Sequence, residues 1–164
     1  MSAPTPDWQT ELTRLWKPPV VVVGIGRRGH GDDAAGPLLI DHLPAARDLL
    51  GIDCGTAPEN FLGVVARHRP GLVLLVDATH TNAPPGTVQL LTPDQLAHTD
   101  LGTHGLTPAL FLKLLQERVG APCLVLAIEP EQVGPDLPPS ASVLTAIRAI
   151  AGFLGSRTLG AGAP

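Results

Sequence analysis

Three stretches of this chain are apolar almost without interruption: "PVVVVGIG" (Pro19–Gly26), "GLVLLVDA" (Gly71–Ala78) and "APCLVLAIEP" (Ala121–Pro130). A strand with one face in water alternates apolar and polar residues. Runs this continuous need cover on both faces, which is the condition of a mainly parallel sheet between two layers of helices. "LGIDCG" (Leu50–Gly55) is a shorter run of the same kind. "GTVQLLTP" (Gly86–Pro93) sets Thr87 and Gln89 against Val88 and Leu90, so it reads as a half-exposed edge strand, antiparallel to its neighbour.

Helical patterns fill the intervals. "GPLLIDHL" puts Pro37 where a first turn tolerates it. "PENFLGVVARH" follows the second strand. In "TPALFLKLLQERV" the spacing groups Leu110, Phe111, Leu114 and Leu115 on one face, with Lys113, Gln116 and Glu117 on the other. "SASVLTAIRAIAGFL" carries Val143, Leu144, Ile147, Ile150 and Leu154. The expected fold is therefore α/β: one three-layer domain, a mostly parallel five-stranded twisted sheet with helices on both faces. The domain spans 19–155. Residues 1–18 form an N-terminal extension with a helical pattern, Thr5 capping and Trp8, Leu12 and Leu15 as its stripe. The segment 156–164 reads as a flexible tail.

Composition narrows the function. A length of 164 residues suits one domain, and a formal net charge of −4 without a basic run argues against nucleic acid. No apolar run is long enough to span a bilayer, and "MSAPTPDWQTELTRLW" lacks a signal-peptide core. The two cysteines, Cys54 and Cys123, lie apart in apolar segments and read as reduced, buried thiols. Cys54 lacks an evident base, and neither an H-E-x-x-H nor a G-x-S-x-G motif is present.

Ligands of open α/β sheets bind beyond the carboxyl ends of the strands. Three polar groups fall there. His30, Asp32 and Asp33 follow the first strand; Asp77 ends "LVLLVD"; His104 stands in "LGTHGLTP" before a helix. Singly, each has an ordinary structural explanation: a helix cap, a loop-ordering acid, a solvated imidazole. Together, two carboxylates and an imidazole at one cleft are best reconciled by a cation between them. The set suits zinc or nickel with positions left open. His80 flanks the same loops, whereas His42, His68 and His98 fall elsewhere.

The same region contains a literal G-x-G-x-x-G, Gly24 to Gly29, which supports a competing dinucleotide-binding reading with Asp53 at ribose distance. Against it, Gly31, Asp32 and Asp33 intervene before the helix, and two carboxylates beside a pyrophosphate oppose binding.

In order and spacing, "GIG…GDDAAGPLL", "IDCGTAPENFLG", "LVLLVDAT…PPGTVQLLTPDQL", "GTHGLTP" and "LAIEPEQVG" resemble the hydrogenase maturation endopeptidases, nearest the type acting on the hydrogenase 3 large subunit. The resemblance runs from about Val20 to Ala151. It implies a cytoplasmic, nickel-dependent peptidase that removes a C-terminal extension from a [NiFe] hydrogenase large-subunit precursor after nickel insertion. The nickel would be supplied by the precursor, with another divalent metal as an alternative. Carried over, the family's catalytic and metal-contacting triad falls on Asp33, Asp77 and His104. A non-enzymatic relative that binds a metal-bearing partner is the remaining alternative. Arg27, followed by Arg28, stands where the family has asparagine, and the "DGG" stretch becomes Asp53-Cys54-Gly55.

Overall fold

The computed structural model describes residues 7–99 and 107–161. Five strands form one sheet: β1 (Val20–Gly24), β2 (Leu49–Asp53), β3 (Leu72–Ala78), β4 (Val88–Leu91) and β5 (Cys123–Ile128). Their order is β2-β1-β3-β5-β4. The first four in that order pair parallel, and β4 closes one edge antiparallel to β5. The longest covered runs are the inner strands β1, β3 and β5, and the alternating run is the edge strand β4; "LGIDCG", expected to be covered like them, forms the opposite edge, β2, where only Leu49 is buried. Architecture and class are those expected.

Because side chains alternate across a strand, each central strand feeds two cores. Val20, Val22, Leu72, Leu74, Val76, Leu126 and Ile128 face α1 (Trp8–Leu15), α2 (Ala35–His42) and α6 (Ala141–Ala161). Val21, Val23, Val73, Leu75 and Val125 face α3 (Leu62–Arg67), α4 (Pro93–Thr99) and α5 (Pro108–Val119). On α5 the buried residues are Ala109, Phe111, Leu112 and Leu115, while Leu110 and Leu114 stand exposed. The buried stripe is thus shifted from the expected one. In "LFLKLL" several apolar stripes fit the helical period, and contact with the sheet selects among them. Thr107 caps α5 by accepting from the Leu110 amide at 3.1 Å, and Gly120 ends it in the left-handed region.

Both chain ends differ in detail from expectation. Asp7, not Thr5, caps the N-terminal helix, accepting from the Thr10 amide at 3.4 Å; Thr5 lies outside the described residues. That helix is packed onto the domain: Leu12 is fully buried and Trp8 meets the Phe153 ring edge-on at 5.2 Å. At the other end α6 continues to Ala161, through the segment that reads as a tail. Thr158 is buried there, with its hydroxyl donating to the Gly155 carbonyl at 2.8 Å.

The strand order has a consequence for function. From β1 the chain crosses to β2 on one side and then to β3 on the other, which opens a crevice beyond the carboxyl ends of β1 and β3.

Candidate functional site

The crevice is built by close backbone approach. A Cβ on Gly24 would sit 2.5 Å from the Gly36 carbonyl oxygen, and one on Gly36 would lie 2.6 Å from the Val76 carbonyl oxygen. Two glycines therefore let the start of α2 press onto β1 and β3. The chain reaches α2 through a 3-10 turn, Asp32–Ala34, which contacts β3. The turn was not evident in the sequence, where the helix was expected near Pro37.

The turn separates the two adjacent acids. Asp32 is fully buried. Its Oδ2 accepts the amides of Glu131 and Gln132 at 2.8 and 2.9 Å, and its Oδ1 accepts the Ser140 amide at 2.7 Å. The Ser140 hydroxyl adds contacts at 3.0 and 2.8 Å. Burial pushes this carboxyl's pKa up, but the bonds from Gln132, Ser140 and Glu131 prevail and hold it below the ordinary value. Asp33 is half-buried, at the crevice, and the Arg27 amide donates to its carboxylate and to its carbonyl, each at 3.1 Å. Asp32 is thus committed to holding the fold, and Asp33 is the member of the pair at the crevice.

Asp77 is the penultimate residue of β3, half-buried, level with Ala127 of β5. It continues the row of Val73 and Leu75, on the face covered by α5. One residue earlier, the Val76 carbonyl accepts the Ile25 amide at 3.0 Å, so Asp77 emerges beside the chain leaving β1. The turn bearing Asp33 therefore lies against β3, the strand that carries Asp77. His104 lies outside the described residues, in the segment just before α5. Among the described residues no three His, Cys, Asp or Glu side chains form a group able to hold a metal ion.

The remaining polar candidates have other engagements. His80 lies with Nδ1 3.5 Å from Glu129, and the His30 carbonyl accepts the Asp33 amide at 3.3 Å. Arg28 grips Asp41 at 2.7 and 2.9 Å and Asp53 at 3.1 Å. Cys54 and Cys123 are buried, and burial pushes each thiol up to about 12, Asp53 adding to the effect at Cys54. Neither is a thiolate nucleophile at neutral pH. Glu129, which the sequence did not single out, is buried at the end of β5 and accepts the Thr81 amide and hydroxyl at 2.6 and 2.8 Å. Its signal was position alone: an acid directly after a covered strand.

The glycine run now has a physical reading. Gly26 has φ 147°, and the space its Cβ would take is filled by the Asp33 carbonyl. In a dinucleotide site that space admits a pyrophosphate. Here the protein's own chain occupies it, and Asp53 is held by Arg28 and by the Gly55 amide at 2.9 Å. The dinucleotide reading has no support in this geometry.

This mostly parallel five-stranded α/β fold is shared with solved endopeptidases. The HycI endopeptidase of Escherichia coli superposes with a TM-score of 0.76 at 30% identity, covering 84% of this chain and 89% of that one. A [NiFe] hydrogenase maturation protease, HycI, of Thermococcus kodakarensis gives 0.76 at 28% identity, over 84% and 90%. The hydrogenase 3 maturation protease of E. coli K12 is 35% identical over 117 residues, 70% of this chain and 74% of that protein. The family model described as hydrogenase maturation protease matches residues 39–154. The chain belongs to the hydrogenase maturation protease family, and it is a peptidase.

Proposed function

We propose that this peptidase removes the C-terminal extension of a [NiFe] hydrogenase large-subunit precursor in the cytoplasm, once nickel has been inserted. Asp33, Asp77 and His104 are proposed to dock onto the nickel that the precursor already carries. The observation carrying this reading is the division of labour in the Asp32–Asp33 pair. One carboxylate is fully consumed by internal hydrogen bonds, and the other is half-buried on the turn that contacts β3, the strand that carries Asp77.

The donor chemistry agrees. Two carboxylate oxygens and an imidazole nitrogen are a hard-to-borderline set that fits nickel, with the precursor's own donors completing its shell. Three ligands on separate loops make an open site, unlike a closed four-ligand structural centre. Hydrolysis adds water across one amide, hydroxyl to the carbonyl carbon and proton to the departing nitrogen. Recognition of the metal would align that amide in the crevice and make cleavage contingent on insertion. Among the described residues no helix is long and apolar enough to cross a membrane.

The test is incubation with nickel-loaded precursor, followed by intact-mass measurement of the large subunit. Loss of a C-terminal fragment by the wild type, absent with Asp33→Asn, supports the proposal. An unchanged mass with the wild type refutes it.

A further inference from the structure

The motif "LAIEPEQVG" runs from β5 into the segment that follows it, and the proposed reaction gives that segment no task. It touches the loops of both candidate acids. At its start Glu129 reaches back to the chain leaving Asp77. The Thr81 amide and hydroxyl donate to Glu129 Oε2, the Ala83 amide bonds the same carboxylate, and the Thr79 amide donates to the Ile128 carbonyl at 2.9 Å. Gln89 Nε2 adds a bond to the Thr81 hydroxyl at 3.3 Å.

Further along, the same segment closes on the loop bearing Asp33. Glu131, Gln132 and Ser140 supply the donors that surround Asp32, and the Asp32 amide returns a bond to the Gln132 carbonyl at 2.8 Å. The Gly31 amide donates to the Leu137 carbonyl at 2.9 Å, and the Asp136 amide donates to the Gly29 carbonyl at 2.8 Å.

The two ends use one device. Each loop carrying a candidate ligand is pinned through a buried carboxylate. An ionised carboxylate out of water is tolerated only while its donors surround it, so neither loop can slide without orphaning a charge. We infer that Glu129 and Asp32 are positioning residues, and that the segment Glu129–Ser140 fixes the separation of Asp33 and Asp77. This rests on the assignment of Asp33 and Asp77 to the site. It makes the segment the frame on which two separate loops meet a single ion. Loss of a partner that orients metal ligands lowers metal affinity or activity.

The experiment compares Ser140→Ala, Glu129→Ala and Glu129→Gln with the wild type and with Asp33→Asn, on nickel-loaded precursor. Amide hydrogen exchange at Thr81 and Gln132 is measured in parallel. Ser140→Ala removes only the hydroxyl contacts and leaves the three amide bonds to Asp32, so it folds. Glu129→Gln retains one acceptor for Thr81. The expected result is a fall in kcat of about tenfold or more for Ser140→Ala and Glu129→Ala, with faster exchange at the loosened amides. Glu129→Gln should recover most of the rate. Wild-type kcat in Ser140→Ala and Glu129→Ala, with Asp33→Asn inactive, overturns the positioning role and leaves the site assignment standing. So does a rate loss in which Glu129→Gln is as impaired as Glu129→Ala. Full activity in Asp33→Asn overturns the site assignment itself, and this inference with it.

Discussion

Asp32 and Ser140, separated by 108 positions, meet in the interior, where the serine donates both its amide and its hydroxyl to one buried carboxylate. That junction ties the 3-10 turn before α2 to the start of α6. It also leaves Asp33, the adjacent acid, at the crevice.

Asp33→Asn, Asp77→Asn and His104→Ala should each reduce precursor processing by more than about a hundredfold, beyond the usual effect of losing an outer partner. Asp33 and Asp77 belong to neither core, so the far-ultraviolet circular dichroism of those two variants should be unchanged. Processing by any of these variants at the wild-type rate removes that residue from the site.

The buried acids set an acid limit on stability. Asp32 and Glu129 have ordinary values of 3.8 and 4.5 and are lowered in the folded state. A lowered folded pKa means that their stabilisation is complete above the ordinary value and is lost as pH falls towards the folded one. Urea unfolding should therefore show a plateau from neutrality to about pH 5 and a decline below about pH 4. In Asp32→Asn the decline should be shallower. A stability that rises on acidification contradicts this.

Nucleotide binding should be absent. Calorimetry with NADH and NADPH should show no heat of binding, because the Asp33 carbonyl fills the space that Gly26 would offer to phosphate. Gly26→Ala should destabilise the fold by more than about 1 kcal/mol, since it adds a side chain at positive φ against backbone. Micromolar cofactor affinity would contradict the reading of the turn.

The thiols should be silent. With both cysteines buried and pushed up to about 12, iodoacetamide at pH 7.5 should label native protein slowly and denatured protein fully, without loss of processing. Rapid inactivation by the reagent would restore Cys54 as a candidate nucleophile.

Much of this fold is legible in the chain because covered strands leave a continuous apolar signature. β1, β3 and β5 carry it, and β4 shows its edge position through Thr87 and Gln89. What periodicity cannot specify is which of several overlapping stripes is buried, hence Leu112 rather than Leu110 and Leu114 on α5. The glycines after Leu154 suggest a tail, yet local bonds such as Ser156 Oγ to the Phe153 carbonyl at 2.7 Å accompany a continuing helix. At the site, residue types alone put Asp32 and Asp33 on equal terms. Only the path of the 3-10 turn, fixed by partners about a hundred residues away, tells the buried acid from the one at the crevice. Glu129 was unreadable for the same reason, since its partners lie on the loop after β3.

The central claim is that the enzyme reads nickel held by its substrate. The most direct measurement is the mass of the large subunit after incubation with nickel-loaded and nickel-free precursor, each with and without chelator. The expected result is shortening of the nickel-loaded form alone, unaffected by a chelator that cannot strip the seated ion. Cleavage of the nickel-free form, or activity that vanishes when chelator removes an ion from the enzyme itself, would contradict it.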